Sequence, residues 1–316
     1  MSTRELERFI EEEVLRPLPA ASALLAPYLD FFHARYGQKL EAVIFYGSCL
    51  SAATSSPTST PDFFVVTSDG ELPSHARLTR ALHALVPPAS QSAQLGGEER
   101  RFFKYVYLDL GQLEGLCSEA MKDLFAAGRL SKRVALVHVR DRAALERVVR
   151  ALTAAVVSLV PIACALLPPS FELGDYVETG VGLSYQSEYR IEVPGKVAAL
   201  IRAFPDYYQE LYRRVLEVAA ERRLVRREGE RYQSLLTPAQ RSAAIARLAR
   251  SRRRGLLRWP KVLLTMDGWG EAVLQKLERK NPGLRIPGRH RRHPLVFAVP
   301  YLWRLLRDGQ LRTQRR

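Results

Sequence analysis

Apolar residues recur at helical spacing at the start of the chain, where Leu6, Phe9, Ile10 and Val14 predict an amphipathic helix with Ser2 and Glu5 in capping-box spacing. A second helix is predicted over 24–35, closing near Gly37. The pattern then changes to short continuous apolar runs. EAVIFYGS from Glu41, DFFVVTS from Asp62, RFFKYVYLDL from Arg101 to Leu110 and RVALVHV from Arg133 read as strands, rich in Val, Phe and Tyr. Between them, Ser74 caps a predicted helix with Leu78, Leu82 and Leu85 on one face. PPASQSAQLGGEE reads as loop and SEAMKDLFAAGRL as helix. The first 140 residues therefore predict strands and helices around one mixed sheet.

Beyond Asp141 the pattern turns helical. Ala151 to Leu167 carries no charge, but its 17 residues, interrupted by Pro161, fall short of the ~20 that a membrane-spanning helix needs. A buried core helix is predicted there, and no span elsewhere. After Arg226-Arg227-Glu228-Gly229 the composition shifts. Thr237-Pro238 forms an N-cap and N1 pair that opens a basic helix through Arg254. WGEAVLQKLERKNPG reads as another helix. The closing HPLVFAVPYLWRLLRDGQLRTQRR sets Leu295, Phe297, Tyr301, Leu302, Trp303 and Leu305 among arginines. That suits either a helix lying in a membrane interface or one docked on the protein.

Charge sharpens this picture. The net charge of +15 lies in the C-terminal quarter: from Pro238 onward there are 20 Lys/Arg against 4 Asp/Glu, and before it 28 against 29. Segregation of this kind points to a polyanionic surface, nucleic acid or anionic lipid. Cys49, Cys117 and Cys164 form no metal-ligand pattern and suit a reducing compartment. The acidic, helical start has the pattern of neither a signal nor a transit peptide. The expected location is the bacterial cytoplasm, peripheral on the inner face of the cytoplasmic membrane.

Two positions between the first two strands look like chemistry. Backbone amides at Gly47-Ser48 can hold phosphate oxygens, and Asp62 can hold Mg²⁺ bridging those phosphates. Strand, Gly-Ser, loop and Asp-strand resembles the layout of polymerase-beta-like nucleotidyltransferases, although Phe64 stands where a second Asp is usual. Cys49 has no neighbouring His in sequence to activate it, and His33, His75, His83 and His138 are read as structural.

Taken in order, YGS, DFFVV, FKY (Phe103 to Tyr105), AGRLSKRV (Ala127 to Val134), ALLPPSF (Ala165 to Phe171) and GLSYQSEYRI (Gly182 to Ile191) resemble the mitochondrial translocator assembly and maintenance family, the soluble CDP-diacylglycerol synthases. The resemblance covers Phe45 to Leu216. It implies an α+β fold: a nucleotidyltransferase domain over 1–140 with a mixed sheet, a helical, winged-helix-like domain over 141–236, and a basic helical region over 237–316 that docks on an anionic membrane. It implies a phosphatidate cytidylyltransferase, joining CTP and phosphatidic acid with Mg²⁺ to give CDP-diacylglycerol and pyrophosphate. By that resemblance Asp62 binds metal, with Asp69 and Asp109 as further candidates. Lys104, Arg129 and Lys132 supply positive charge to the reaction. Tyr46, Gly47, Ser48, Ser184, Tyr185, Arg190 and Lys196 contact the nucleotide, with Ser184 and Tyr185 facing the cleft.

The family pattern also lacks a carboxylate two residues after the first. Phosphatidate's phosphate is already largely anionic near neutral pH (second pKa about 6), so no hydroxyl need be deprotonated. The chain departs from the family at Ser187-Glu188-Tyr189-Arg190 (family Gly-Asp-x-Arg), at Lys104-Tyr105-Val106 (Lys-Tyr-Gly) and at Lys132-Arg133 (Lys-Pro). Two alternatives stay open. One is a nucleotidyltransferase-fold protein acting on or binding RNA through RSAAIARLARSRRRG, disfavoured because no RNA-binding motif or interleaved aromatics accompany it. The other modifies protein or small molecules. A homodimer also stays open.

Overall fold

The computed structural model describes residues 3–17, 22–51, 59–69, 88–96, 101–121, 123–187 and 195–265, together with Trp303 and Arg307. The helices predicted after Ser74 and over WGEAVLQKLERKNPG lie outside the described residues. So does the closing segment, apart from the exposed Trp303 and Arg307.

Five strands form a mixed sheet: β1 (Leu40–Tyr46), β2 (Asp62–Thr67), β3 (Ala89–Leu95), β4 (Arg101–Asp109) and β5 (Val134–Val139), in the order β3-β4-β2-β1-β5. β2 and β4 run parallel; the other neighbours are antiparallel. Side chains alternate between faces. Ile44, Phe64, Val106 and Leu108 therefore enter one core, and Val43, Phe45, Phe63, Phe103 and Tyr105 the other. Leu40 breaks the alternation because the register shifts between Leu40 and Ala42. α2 (Ser22–Tyr36) covers the second face. Its Phe32 meets Phe63, Phe103 and Tyr105 near edge-on at centroid distances of 5.4, 5.7 and 5.4 Å, the geometry that aromatic quadrupoles favour. Over the first face lie α1 (Thr3–Leu15), α3 (Leu110–Cys117), α4 (Phe125–Leu130) and α5 (Arg142–Val157).

Three expectations change here. PPASQSAQLGGEE contains the edge strand β3, with Ala89 and Gln91 buried and mostly half-buried neighbours; an edge strand has little apolar patterning to announce it. Among its described residues SEAMKDLFAAGRL is helical only over α4, while the preceding α3 begins where Asp109 accepts from Gln112 N at 2.7 Å in a capping box. Ala151 to Leu167 is not one helix. It runs from α5 into α6 (Val160–Leu166), broken at Ser158-Leu159, with Pro161 in the first turn of α6 where its missing N–H costs nothing. Among the described residues Arg142–Leu166 alone is long and apolar enough to cross a membrane, and 83% of its apolar window is buried inside the protein.

A second, three-stranded sheet pairs β6 (Ser170–Glu172), β7 (Val225–Glu228) and β8 (Arg231–Ser234) in the order β6-β8-β7. Between β6 and β7 run α7 (Leu173–Gln186), α8 (Lys196–Ala203) and α9 (Pro205–Glu221). Gly229, at φ +60°, turns β7 into β8. Strands of three or four residues reading SFE, VRRE and RYQS offer no apolar run.

α10 (Pro238–Thr265) opens at Thr237 as expected, where Gln240 N donates to Thr237 Oγ1 at 3.2 Å and Thr237 N donates to Gln240 Oε1 at 2.9 Å. It continues past Arg254. Arg250 and Arg253 are exposed and Arg254 and Arg258 pair with Asp123, but three other arginines turn onto carbonyls that end other helices. Arg241 Nη1 donates to Ala165 O and Leu167 O at 2.8 and 3.3 Å, closing α6. Arg247 reaches Ser118 O after α3, Met121 O, and Ser158 O after α5 at 3.2, 2.9 and 2.7 Å. Arg252 Nε and Ser251 Oγ donate to Gln186 O and Ser187 O at the end of α7, at 2.6 and 2.9 Å. Orphan carbonyls and the negative end of the helix dipole both favour a cation there.

Candidate functional site

One row of residues stands abreast at one end of the main sheet. Register pairs Lys104 with Asp62, Asp62 with Tyr46, and Tyr46 with Val134, across β4, β2, β1 and β5. With strands about 4.8 Å apart, the row spans roughly 14 Å. Directly opposed residues point to the same face, so Lys104, Asp62 and Tyr46 project together on the side of Phe64, whose ring lies 4.9 Å from that of Tyr46. The Lys104 backbone N–H is tied to Pro61 O at 3.0 Å.

The chain leaves β1 through Gly47, at φ +94° and ψ −161°, a region open essentially to glycine alone. A Cβ there would lie 3.2 Å from Asp62 Oδ2, so the glycine leaves the space that the carboxylate borders. Ser48 begins a 3₁₀ turn through Leu50, and its hydroxyl donates to Ser59 Oγ at 3.5 Å. Gly47, Ser48 and Asp62 are thus brought together from either side of the loop between β1 and β2.

Positive charge arrives from the segment that leads into β5. Lys132 is mostly buried, two residues before Val134 of the row, with Nζ 4.7 Å from the Tyr185 ring centroid. Tyr185 of α7 thus meets Lys132 from a part of the chain 53 residues away. Arg129 stacks on Phe125, Cζ 3.5 Å from the centroid, and donates from Nη1 to Phe125 O at 3.0 Å. α4 and α7 touch closely: a Cβ on Gly128 would lie 3.0 Å from Ser187 Oγ and 3.3 Å from Ser184 Cα.

Other predicted residues sit elsewhere. Ser184 is fully buried and its hydroxyl donates to Val181 O at 2.8 Å. It faces the α4 contact and not a cleft, because the close approach of two helices requires a small residue there. Asp109 pairs with Thr67 at the far end of β2 from Asp62 and caps α3. Asp69 follows that same far end and pairs with Lys39. Five residues of extended chain, roughly 16 Å, separate that end from Asp62. Neither carboxylate joins the row, and among the described residues no cluster of three His, Cys, Asp or Glu could hold a metal. Lys196 opens α8 after Gly195, where a cation opposes the helix dipole and does not serve helix stability. Arg190 lies outside the described residues, as do His75 and His83. His33 and His138 pack edge-on at 4.6 Å. Burial, helped by the charge of His33, lowers the pKa of His138. Burial also pushes the Cys117 and Cys164 thiols up to about 12, leaving both unreactive.

Sequence reading missed the α9 tyrosines. Tyr208 OH accepts from Arg133 N at 3.3 Å and Tyr212 OH donates to Ser131 O at 3.5 Å; their four-residue spacing on one helix face was the available signal. A groove of about 770 Å³ between α1 and α5, lined by Arg4, Glu7, Arg8, Glu11, Arg142 and Glu146, lies beyond the opposite end of β5. Its charges pair with one another, as in Arg142 with Glu11 and Glu146.

Residues 103–278 match the family described as "Phosphatidate cytidylyltransferase, mitochondrial". Proteins of that name from Mus musculus and Rattus norvegicus are 32% and 31% identical over 125 residues, 37% of this chain and 34% of theirs. The alignment thus spans about a third of the length of the curated relatives. The family match takes in Lys104, Arg129, Lys132, Ser184, Tyr185, Lys196 and the whole of α10, and begins after Gly47 and Asp62. The expected bacterial cytoplasmic location is corrected by these findings, since the family and both relatives are named mitochondrial. With more than half of its length matched, this chain belongs to the phosphatidate cytidylyltransferase family.

Proposed function

We propose that the protein transfers CMP from CTP to phosphatidic acid, releasing pyrophosphate and forming CDP-diacylglycerol. The observation that carries this reading is the row at the sheet end, where Gly47, Asp62 and Lys104 converge in a chain of this family. The comparisons give no support to the alternative that acts on RNA.

Asp62 fits a divalent cation of the Mg²⁺ type. It offers one carboxylate beside a space that a Cβ on Gly47 would fill, and Mg²⁺ is commonly held by one or two carboxylates, with substrate phosphates and water completing the shell. When bound, the ion would neutralise phosphate charge and favour departure of pyrophosphate. The amides of Gly47 and Ser48 would receive the outer phosphates of CTP, and Lys104 would balance their charge from the next strand. Lys132, with Arg129 behind it, would draw the lipid phosphate toward the α-phosphorus. Two anions must be held in line, so alignment and neutralisation are the main tasks of these side chains.

We further assign residues 1–140 to the nucleotidyltransferase unit, 141–236 to a winged-helix-like unit and 237–316 to membrane docking. The order helix, β6, helices, β7, β8 and the sheet order β6-β8-β7 support the second assignment. α10 directs Arg241, Arg247 and Arg252 inward but leaves Arg250 and Arg253 exposed, so lipid contact is assigned to those two and to the residues beyond the helix, at roughly 1 kcal/mol per cation near an anionic surface. Removing 285–316 is expected to abolish co-sedimentation with anionic liposomes; equal binding by both forms would reject that role.

The activity is tested with CTP, Mg²⁺ and phosphatidate vesicles by following pyrophosphate. Release should require phosphatidate and prefer CTP to ATP. Release driven by RNA, or indifferent to the nucleotide base, would overturn the reading.

A further inference from the structure

Arg133 directly follows Lys132 on the way into β5. In the structure its side chain is buried and forms an ion pair with Glu13 of α1, itself buried. The guanidinium lies 4.8 Å from the Tyr207 ring centroid on α9. Its backbone N–H donates to the Tyr208 hydroxyl at 3.3 Å, a bond that proline could not make. One helical turn on, Tyr212 OH donates to Ser131 O at 3.5 Å. Gly180 of α7 makes room for that tyrosine, since a Cβ there would lie 2.8 Å from its Cε1 and Cζ. Lys132 is therefore flanked on one side by a carbonyl and on the other by an amide, each bonded to a tyrosine of α9.

Stability alone gives little reason for this arrangement. A buried ion pair often contributes no more than apolar residues of the same volume, because both charges lose their water. What it does supply is restraint. Proline would fix its own φ and bias the backbone of Lys132 toward extended conformations. An arginine leaves that backbone free unless something else holds it. Here α1 holds the side chain and α9 holds the amide, so parts of the chain far apart in sequence set the backbone on which the lysine stands.

We infer that Glu13, Arg133 and Tyr208 are positioning residues that fix the direction in which Lys132 presents its ammonium group. This rests on the proposal that Lys132 acts on a substrate phosphate. A misplacement of about 1 Å at such a group can cost up to a hundredfold in rate, whereas leaving the buried Arg133 amide without its partner costs stability, through the desolvation of that amide.

The test is a double-mutant cycle in the full chain, following pyrophosphate release from CTP with Mg²⁺ and phosphatidate vesicles, alongside thermal unfolding. Tyr208→Phe keeps the ring and removes the hydroxyl. It is expected to lower kcat about tenfold, with KM for CTP near that of the unmutated protein and Tm lower by a few degrees. Lys132→Ala is expected to lower kcat about a hundredfold, and Tyr208→Phe should cost nothing more in that background. Multiplying effects would overturn the inference, because the hydroxyl would then act independently of the lysine. Full activity of Tyr208→Phe beside an impaired Lys132→Ala would reject the positioning role alone. Full activity of Lys132→Ala would reject the role of the lysine itself and the inference with it. Glu13→Gln, carried through the same cycle, is expected to show the same dependence on Lys132 and decides the matter if Tyr208→Phe fails to fold.

Discussion

α10 and the row across the end of the main sheet are both marked by positive charge, yet their cations face different things. On α10, Arg241, Arg247 and Arg252 end on backbone carbonyls that close α3, α5, α6 and α7. At the sheet end, Lys104 pairs in register with Asp62 on the neighbouring strand, and Lys132 lies against an aromatic ring with its neighbours' backbone pinned by α9. A count of charges cannot separate the two sets; the partners each set meets can. Arginine's planar fork suits several carbonyls at once, so a helix rich in arginine can bind its own protein as readily as an external polyanion.

Substitutions should divide along that line. Gly47→Ala places a side chain in a backbone region that costs about 1–3 kcal/mol and crowds Asp62 Oδ2. Pyrophosphate release should fall about a hundredfold while the circular dichroism spectrum stays unchanged. Arg247→Ala should do the reverse. Burial already pulls that guanidinium's pKa down, opposed by Glu119, and its removal strands three carbonyls, at a cost of about 3 kcal/mol in urea unfolding with turnover per folded molecule preserved. Arg241→Ala, which frees two carbonyls at one helix end, should cost about 1 kcal/mol. The smallest effect belongs to a partly exposed pair. Hydrogen bonding from Arg213, with Arg214 assisting, lowers the pKa of Glu210. Its contribution is therefore present above the unfolded value of about 4.3 and lost as pH falls through the folded one. Glu210→Gln should cost a few tenths of a kcal/mol at pH 7 and nothing at pH 2.

Much of the Gly-Ser/Asp end of the sheet was legible because it rests on local pattern. β1 and β2 carry unbroken apolar runs, Ala42–Tyr46 and Phe63–Val66, and a Gly-Ser exit facing an Asp entry stands out between them. The misplacements come from partners remote in sequence. Whether Asp109 coordinates or caps depends on Gln112 and on which end of a parallel strand pair it occupies. Whether Ser184 lines a cleft or packs depends on Gly128, 56 residues earlier in the chain. The restraint on Lys132 joins residues 13, 133 and 208, and no window on the sequence contains all three. β6, β7 and β8 escaped notice because strands of three or four residues carry too few side chains to display a period.

Turnover by Asp62→Asn on phosphatidate-containing vesicles, measured beside its thermal unfolding, probes the row most directly. The substitution keeps the shape and removes the charge. Pyrophosphate release should fall about a thousandfold with Tm within about 1 °C of the unmutated protein. Activity within tenfold of the unmutated protein would contradict a charge-bearing carboxylate at the centre of this site.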